Sequence, residues 1–72
     1  MVYYSDNQRH LVCIPYSKEN LDLMALDLNI KKCWRHGDHY DIPKRRIEEI
    51  KNLTIVVSPK EIVKIIKGEY DR

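Results

Sequence analysis

Phenylalanine is absent from this chain, and glycine occurs only twice. With so little glycine there is no Gly-rich loop to cradle a phosphate on backbone N–H groups, and no nucleophile elbow on a Gly-x-Ser-x-Gly turn. A long apolar run is missing too, which removes any candidate transmembrane helix. No targeting segment is visible after Met1, so the expectation is a cytoplasmic protein without membrane contact. Charge of one sign is not in surplus: 13 Lys+Arg stand against 11 Asp+Glu for a net +2. That balance excludes a dedicated basic arm, so any nucleic-acid reading depends on where the charges sit. The two cysteines, Cys13 and Cys33, both fall in apolar stretches and read as small buried hydrophobes in a reducing compartment.

The 72 residues make a single domain, 1–72, whose core is thin because a chain this short buries only about 60% of its unfolded surface. Val2-Tyr3-Tyr4 reads as an opening strand and Ser5-Asp6-Asn7 as a turn. His10–Ile14 is a continuous apolar run before Pro15, which suits a strand covered on both faces. Ser17 is the natural N-cap of a first helix, with Leu21, Met24, Ala25 and Leu28 as its core stripe. Leu23, Leu26 and Ile30 form a second stripe with nothing obvious to cover it, and are read as a homodimer or partner contact.

Lys32–Arg35 reads as a third strand ended by Gly37-Asp38, and Pro43 as the start of a second helix capped by Asp41 or Ile42. Leu53–Val57 is the clearest strand. Ser58-Pro59-Lys60-Glu61 is the clearest helix start, with Ser58 and Glu61 spaced as a capping box and Gly68 as the stop. The order β-β-α-β-α-β-α predicts an α/β domain with a small, largely parallel sheet.

Such a sheet would gather its strand ends and helix starts on one edge, the usual ligand edge of α/β folds. The stretch Trp34–Arg46 would lie there, and it holds two of the three histidines, the only tryptophan and four basic residues. Ser17, Arg35, His36, Tyr40, Lys44, Arg45, Arg46 and Ser58 are the candidate ligand-binding residues, because helix N-termini and guanidinium groups favour an anion such as phosphate. His39, oriented by Asp38 or Asp41, is the candidate catalytic base, with Asp41 its partner, for phosphodiester or nucleotide hydrolysis. Cys33-x-x-His36-x-x-His39 brings zinc to mind without the paired clusters of a structural site, and the metal is left unassigned.

Val2-Tyr3-Tyr4, His10-Leu11-Val12, Trp34, His39-Tyr40-Asp41-Ile42 with Arg45-Arg46, and the closing Val-Val-Ser-Pro-Lys-Glu-Ile together resemble an uncharacterised family. It comprises small bacterial and bacteriophage proteins with a His-Tyr-Asp signature, a domain of unknown function. Asp22-Leu23-Met24 stands where that family has Glu-Leu-His. The resemblance implies a small cytosolic α/β fold in a bacterial or phage setting and no particular reaction or cofactor.

The plain structural roles weigh against chemistry at each residue: Asp41 as a cap, His36 and His39 as solvated turn residues, Lys44–Arg46 paired with Glu48 and Glu49. The expectation is therefore a domain, more a binder than an enzyme, that recognises nucleic acid or a nucleotide through its His/Asp/Arg loop. The competing expectation is a protein-interaction module, such as a phage accessory factor docking on a host protein through Leu23, Leu26 and Ile30.

Overall fold

The computed structural model describes residues 1–70. Two long strands form the centre. β1 (Val2–Ser5) and β2 (His10–Ile14) pair antiparallel, with Tyr4 opposite Val12 and Ser5 opposite Leu11. Their connection is tied by Asp6, whose N–H donates to the His10 carbonyl at 3.2 Å, while Arg9 takes the left-handed conformation at φ 75°. A cis Ile14–Pro15 bond leads into α1 (Lys18–Asp27), capped by the Ser17 hydroxyl, which accepts from the Asn20 N–H.

After α1 the chain departs from the expected third strand. Asn29, at φ 56°, reverses the backbone, and Ile30 N–H closes on the Ala25 carbonyl at 2.7 Å. Lys32–Trp34 is then a single 3₁₀ turn. Only Arg35–His36 is extended (β3), and it forms a hairpin with β4 (His39–Asp41). Gly37 alone in the two-residue turn has positive φ, at 62°, the type II′ pattern whose twist matches antiparallel strands. Asp41 therefore belongs to a strand and caps no helix. Pro43 precedes a 3₁₀ turn (Lys44–Arg46), and α2 (Ile47–Leu53) starts at Arg46 without a side-chain cap.

The expected strand over Leu53–Val57 shrinks to β5 (Ile55–Val56), because α2 claims Leu53 and the Thr54 hydroxyl donates to the Ile50 carbonyl to finish that helix. α3 (Pro59–Lys67) has the expected capping box of Ser58 and Glu61 and ends on Gly68 at φ 74°.

The sheet is mixed, in the order β3-β4-β2-β1-β5. Only β1 and β5 run parallel, and the other pairs are antiparallel, which corrects the expectation of a largely parallel sheet. The reason lies in the two short hairpins, which need no crossover helix. Side chains alternate across the sheet. Tyr3, Ser5 and Tyr40 face α1 and α2: Tyr3 bonds Asp27, Tyr40 bonds Asp22, and Ser5 bonds Thr54. Tyr4 meets Tyr70 on the other face, where His10 and His39 share a groove with Ile62 of α3. Leu11, Val12, Cys13, Leu21, Met24, Ile42 and Ile50 are fully buried between these layers. Cys13 is buried as expected, whereas Cys33 is exposed on the 3₁₀ turn. No helix among the described residues is long and apolar enough to cross a membrane.

Candidate functional site

The expected single ligand edge divides. β2 runs antiparallel to β1 and β5, so Ser17, which follows the end of β2, and Ser58, which follows β5, lie at opposite ends of the sheet. Three helix N-termini do not converge. Ser17 and Ser58 both serve as caps, and the Glu61 carboxyl is held below its usual range, first by the Ser58 backbone N–H and then by the Ser58 hydroxyl.

The alternation of β4 separates His39 and Asp41 from Tyr40. Tyr40 is buried against α1, with its hydroxyl donating to Asp22 Oδ1 at 2.7 Å. Burial first, and the Asp22 carboxylate second, push the Tyr40 hydroxyl up to about 12. Asp22 is lowered in turn, chiefly by that hydrogen bond and then by Arg35, whose Nη1 lies 3.2 Å from both carboxylate oxygens. Arg35 and Tyr40, expected at the ligand, thus lock β3 and β4 onto α1.

His39 and Asp41 project to the opposite face, beside His10 across the strand pair. His39 Nδ1 lies 2.7 Å from Asp38 Oδ1, and its Nε2 lies 3.3 Å from Asp41 Oδ1. His36, stacked on His39 with centroids 5.9 Å apart, reaches the other Asp41 oxygen from Nε2 at 3.1 Å. Asp38 and Asp41, either of which was expected beside His39, both lie against its ring. His10 joins the cluster without having been singled out from the sequence, and Asp6, expected at the ligand edge only if β1 ran parallel to the other strands, supports it: Asp6, wholly buried, accepts from the Gln8 and His10 N–H groups and lies 2.7 Å from His10 Nδ1. The Asp6-x-x-x-His10 spacing across a tight turn was the signal. A groove of about 380 Å³ runs from this cluster to Pro59, Ile62, Val63 and Ile66.

The basic residues gather elsewhere. Arg46 clamps the end of α1, donating at 2.7 Å to both the Leu28 and Asn29 carbonyls, and its guanidinium also pairs with Glu49 at 2.8 Å, as helical spacing foretold. Arg45 and Arg46 line a second groove of about 320 Å³ with Lys31, Trp34, Ile30 and Pro43. Leu23 and Leu26 are 53% and 77% exposed, but Ile30 is only 5% exposed, so the expected three-residue contact face is reduced to two leucines.

No protein-family model, curated protein or solved structure matches this chain.

Proposed function

We propose that this chain binds a phosphate-bearing ligand, a single nucleic-acid strand or a nucleotide, at the groove between the Lys32–Trp34 and Lys44–Arg46 turns. One observation carries the reading. Trp34, Lys31 and Arg45 line one groove together with Arg46, whose own charge is already paired with Glu49, and no carboxylate among the described residues lines it. An aromatic face for a base beside cations for a phosphate is the arrangement that single strands use, at about 1–3 kcal/mol per stacked base. Lys44, exposed on the same turn, extends the positive surface. The His39 cluster suits an anion less well, because Asp6, Asp38 and Asp41 surround it. The basic half of the Trp34–Arg46 stretch therefore carries the ligand, and its imidazoles stand apart. That separation sets His39 apart from Arg45 and Arg46, the arginines that line the other groove.

The test uses Trp34, the only tryptophan, as its own reporter. Quenching by a short single-stranded oligonucleotide should weaken with salt, with a slope of roughly 0.7 per phosphate neutralised. A Lys44→Ala/Arg45→Ala variant should lose about one such unit for each cation that touches a phosphate. Arg46 is left in place because it anchors α1. Salt-independent quenching, or a double variant that binds like the parent, would refute the proposal.

A second reading rests on the exposure of Leu23 and Leu26, which suits a protein-interaction module. Leu26→Asp separates the two, since it should abolish partner capture and leave oligonucleotide binding intact.

A further inference from the structure

On the opposite face of the sheet, the geometry points to a divalent transition-metal site formed by His10, His39 and Asp41, with zinc as the ion its ligand chemistry fits. One ligand atom from each of the three residues lies within 4.8 Å of the other two. The strands bring them together: His10 pairs with Asp41 across β2 and β4, and His39, two residues before Asp41, shares its face.

The placement of the ring nitrogens distinguishes this group from a chance polar cluster. Each imidazole has its Nδ1 against a carboxylate, His10 on Asp6 and His39 on Asp38, both at 2.7 Å. In metal sites the ligating histidine characteristically gives its other ring N–H to a carboxylate, which fixes the tautomer and leaves Nε2 with a free lone pair. Asp6 is well suited to this work, because its wholly buried carboxylate is held by two backbone N–H groups and cannot swing away.

His39 Nε2 and Asp41 Oδ1 are 3.3 Å apart. That is long for a charge-assisted hydrogen bond, which prefers about 2.7–2.9 Å. It matches the separation of roughly 3.3 Å between two ligands on a tetrahedral ion with bonds of about 2.0–2.1 Å. His36 braces the other Asp41 oxygen at 3.1 Å.

Two imidazoles and one carboxylate are the donor set of open zinc sites, where water or a substrate donor takes the fourth position. The side chains are 30%, 21% and 24% exposed for His10, His39 and Asp41, enough for an ion to reach them from solvent. The open position would face the groove toward Pro59, Ile62 and Val63, whose apolar wall suits a small ligand with a donor atom and a hydrocarbon body.

The experiment is calorimetric titration of the full chain with Zn²⁺ alone. One saturable equivalent should bind, and Cys33→Ser should bind equally, because its thiol lies on the other groove. His10→Ala and His39→Ala should each weaken binding by more than roughly 100-fold, and Asp6→Asn by about 10–100-fold through loss of ring orientation. Absence of saturable binding by the parent, or binding that survives in a His10→Ala/His39→Ala double variant, overturns the site. Should circular dichroism show a variant unfolded, Co²⁺ added to the parent decides: tetrahedral or five-coordinate absorption that shifts with azide supports an open site, and the spectrum of aqueous Co²⁺ refutes it.

Discussion

Two buried tyrosines on opposite faces of one sheet make a controlled comparison, since among the described residues only Tyr40 has a partner for its hydroxyl. Tyr40 donates to Asp22 at 2.7 Å, while the Tyr4 hydroxyl is the buried side-chain polar atom without a partner among the described residues. A hydrogen bond to a charged acceptor contributes about 1.5–3 kcal/mol, and solvent at the half-exposed Asp22 and its second bond from Arg35 reduce that, so Tyr40→Phe should cost about 1–2 kcal/mol. At 4–8 °C per kcal/mol for a domain of this size, Tm should fall by roughly 4–16 °C.

Tyr4→Phe removes an oxygen already desolvated without return, and should leave Tm unchanged or raise it by roughly 4–8 °C. Alkaline pH adds a second readout. The folded Tyr40 keeps its proton up to about 12, whereas the unfolded chain releases it near the ordinary tyrosine value of 10.0, so folding stability is intact below pH 10 and declines as pH rises from 10 to 12. Tyr3, raised to about 12 first by its hydrogen bond to Asp27, adds a smaller, solvent-screened part of the same limb. Tyr40→Phe should flatten that limb. Equal losses of Tm in the two variants, or an alkaline limb untouched by Tyr40→Phe, would refute the assignment.

Other perturbations follow from single features. Ser58→Ala removes the hydroxyl that accepts from the Glu61 N–H and should cost about 1 kcal/mol, read from urea midpoints. Gly37→Ala meets no atom within 4 Å, so its cost is the left-handed backbone alone, about 1–2 kcal/mol, with native chemical shifts outside the hairpin. Met24→Ala, at a fully buried position of α1, should cost about 2–5 kcal/mol by thermal denaturation.

The helices were legible in the sequence wherever caps and periodicity agreed. Ser17 and Ser58 cap as expected, Gly68 stops α3, and the stripe of Leu21, Met24, Ala25 and Leu28 is the buried one. The sheet was less legible because direction is set by connections. His36-Gly37-Asp38-His39 carries a hairpin signal, glycine first in a two-residue turn, but polar flanks with no apolar alternation hid the strands on either side. Leu53–Val57 has strong strand composition, yet Ile47 and Ile50 extend a helical pattern through Leu53 and leave two residues for β5. The surplus of tyrosine over phenylalanine also finds its reason. The hydroxyls of Tyr3, Tyr16 and Tyr40 reach Asp27, the Asp38 carbonyl and Asp22, so these rings act as tethers between layers where phenylalanine would only pack.

The two-residue period of a strand decides how the central stretch is to be read. In the linear sequence His39, Tyr40 and Asp41 are neighbours, and three adjacent polar groups invite one site. On β4 they cannot share one, since Tyr40 must point away from its neighbours, and its contact with Asp22 fixes which face it takes. His39 and Asp41 are then committed to the α3 face, where the antiparallel partner supplies His10, a residue 29 positions before His39 in the chain. The guanidinium groups follow a different rule. β4 ends at Asp41, two residues before Pro43, and Arg46, from the 3₁₀ turn that follows, reaches the carbonyls at the end of α1. Imidazoles and arginines that share one segment of sequence therefore line two different grooves. A ligand that needed both would have to reach from one groove to the other. Oligonucleotide binding and zinc binding are thus expected to be independent: saturating Zn²⁺ should leave the oligonucleotide affinity unchanged, and a tenfold coupling between them would mean that the sheet does not separate the two sites.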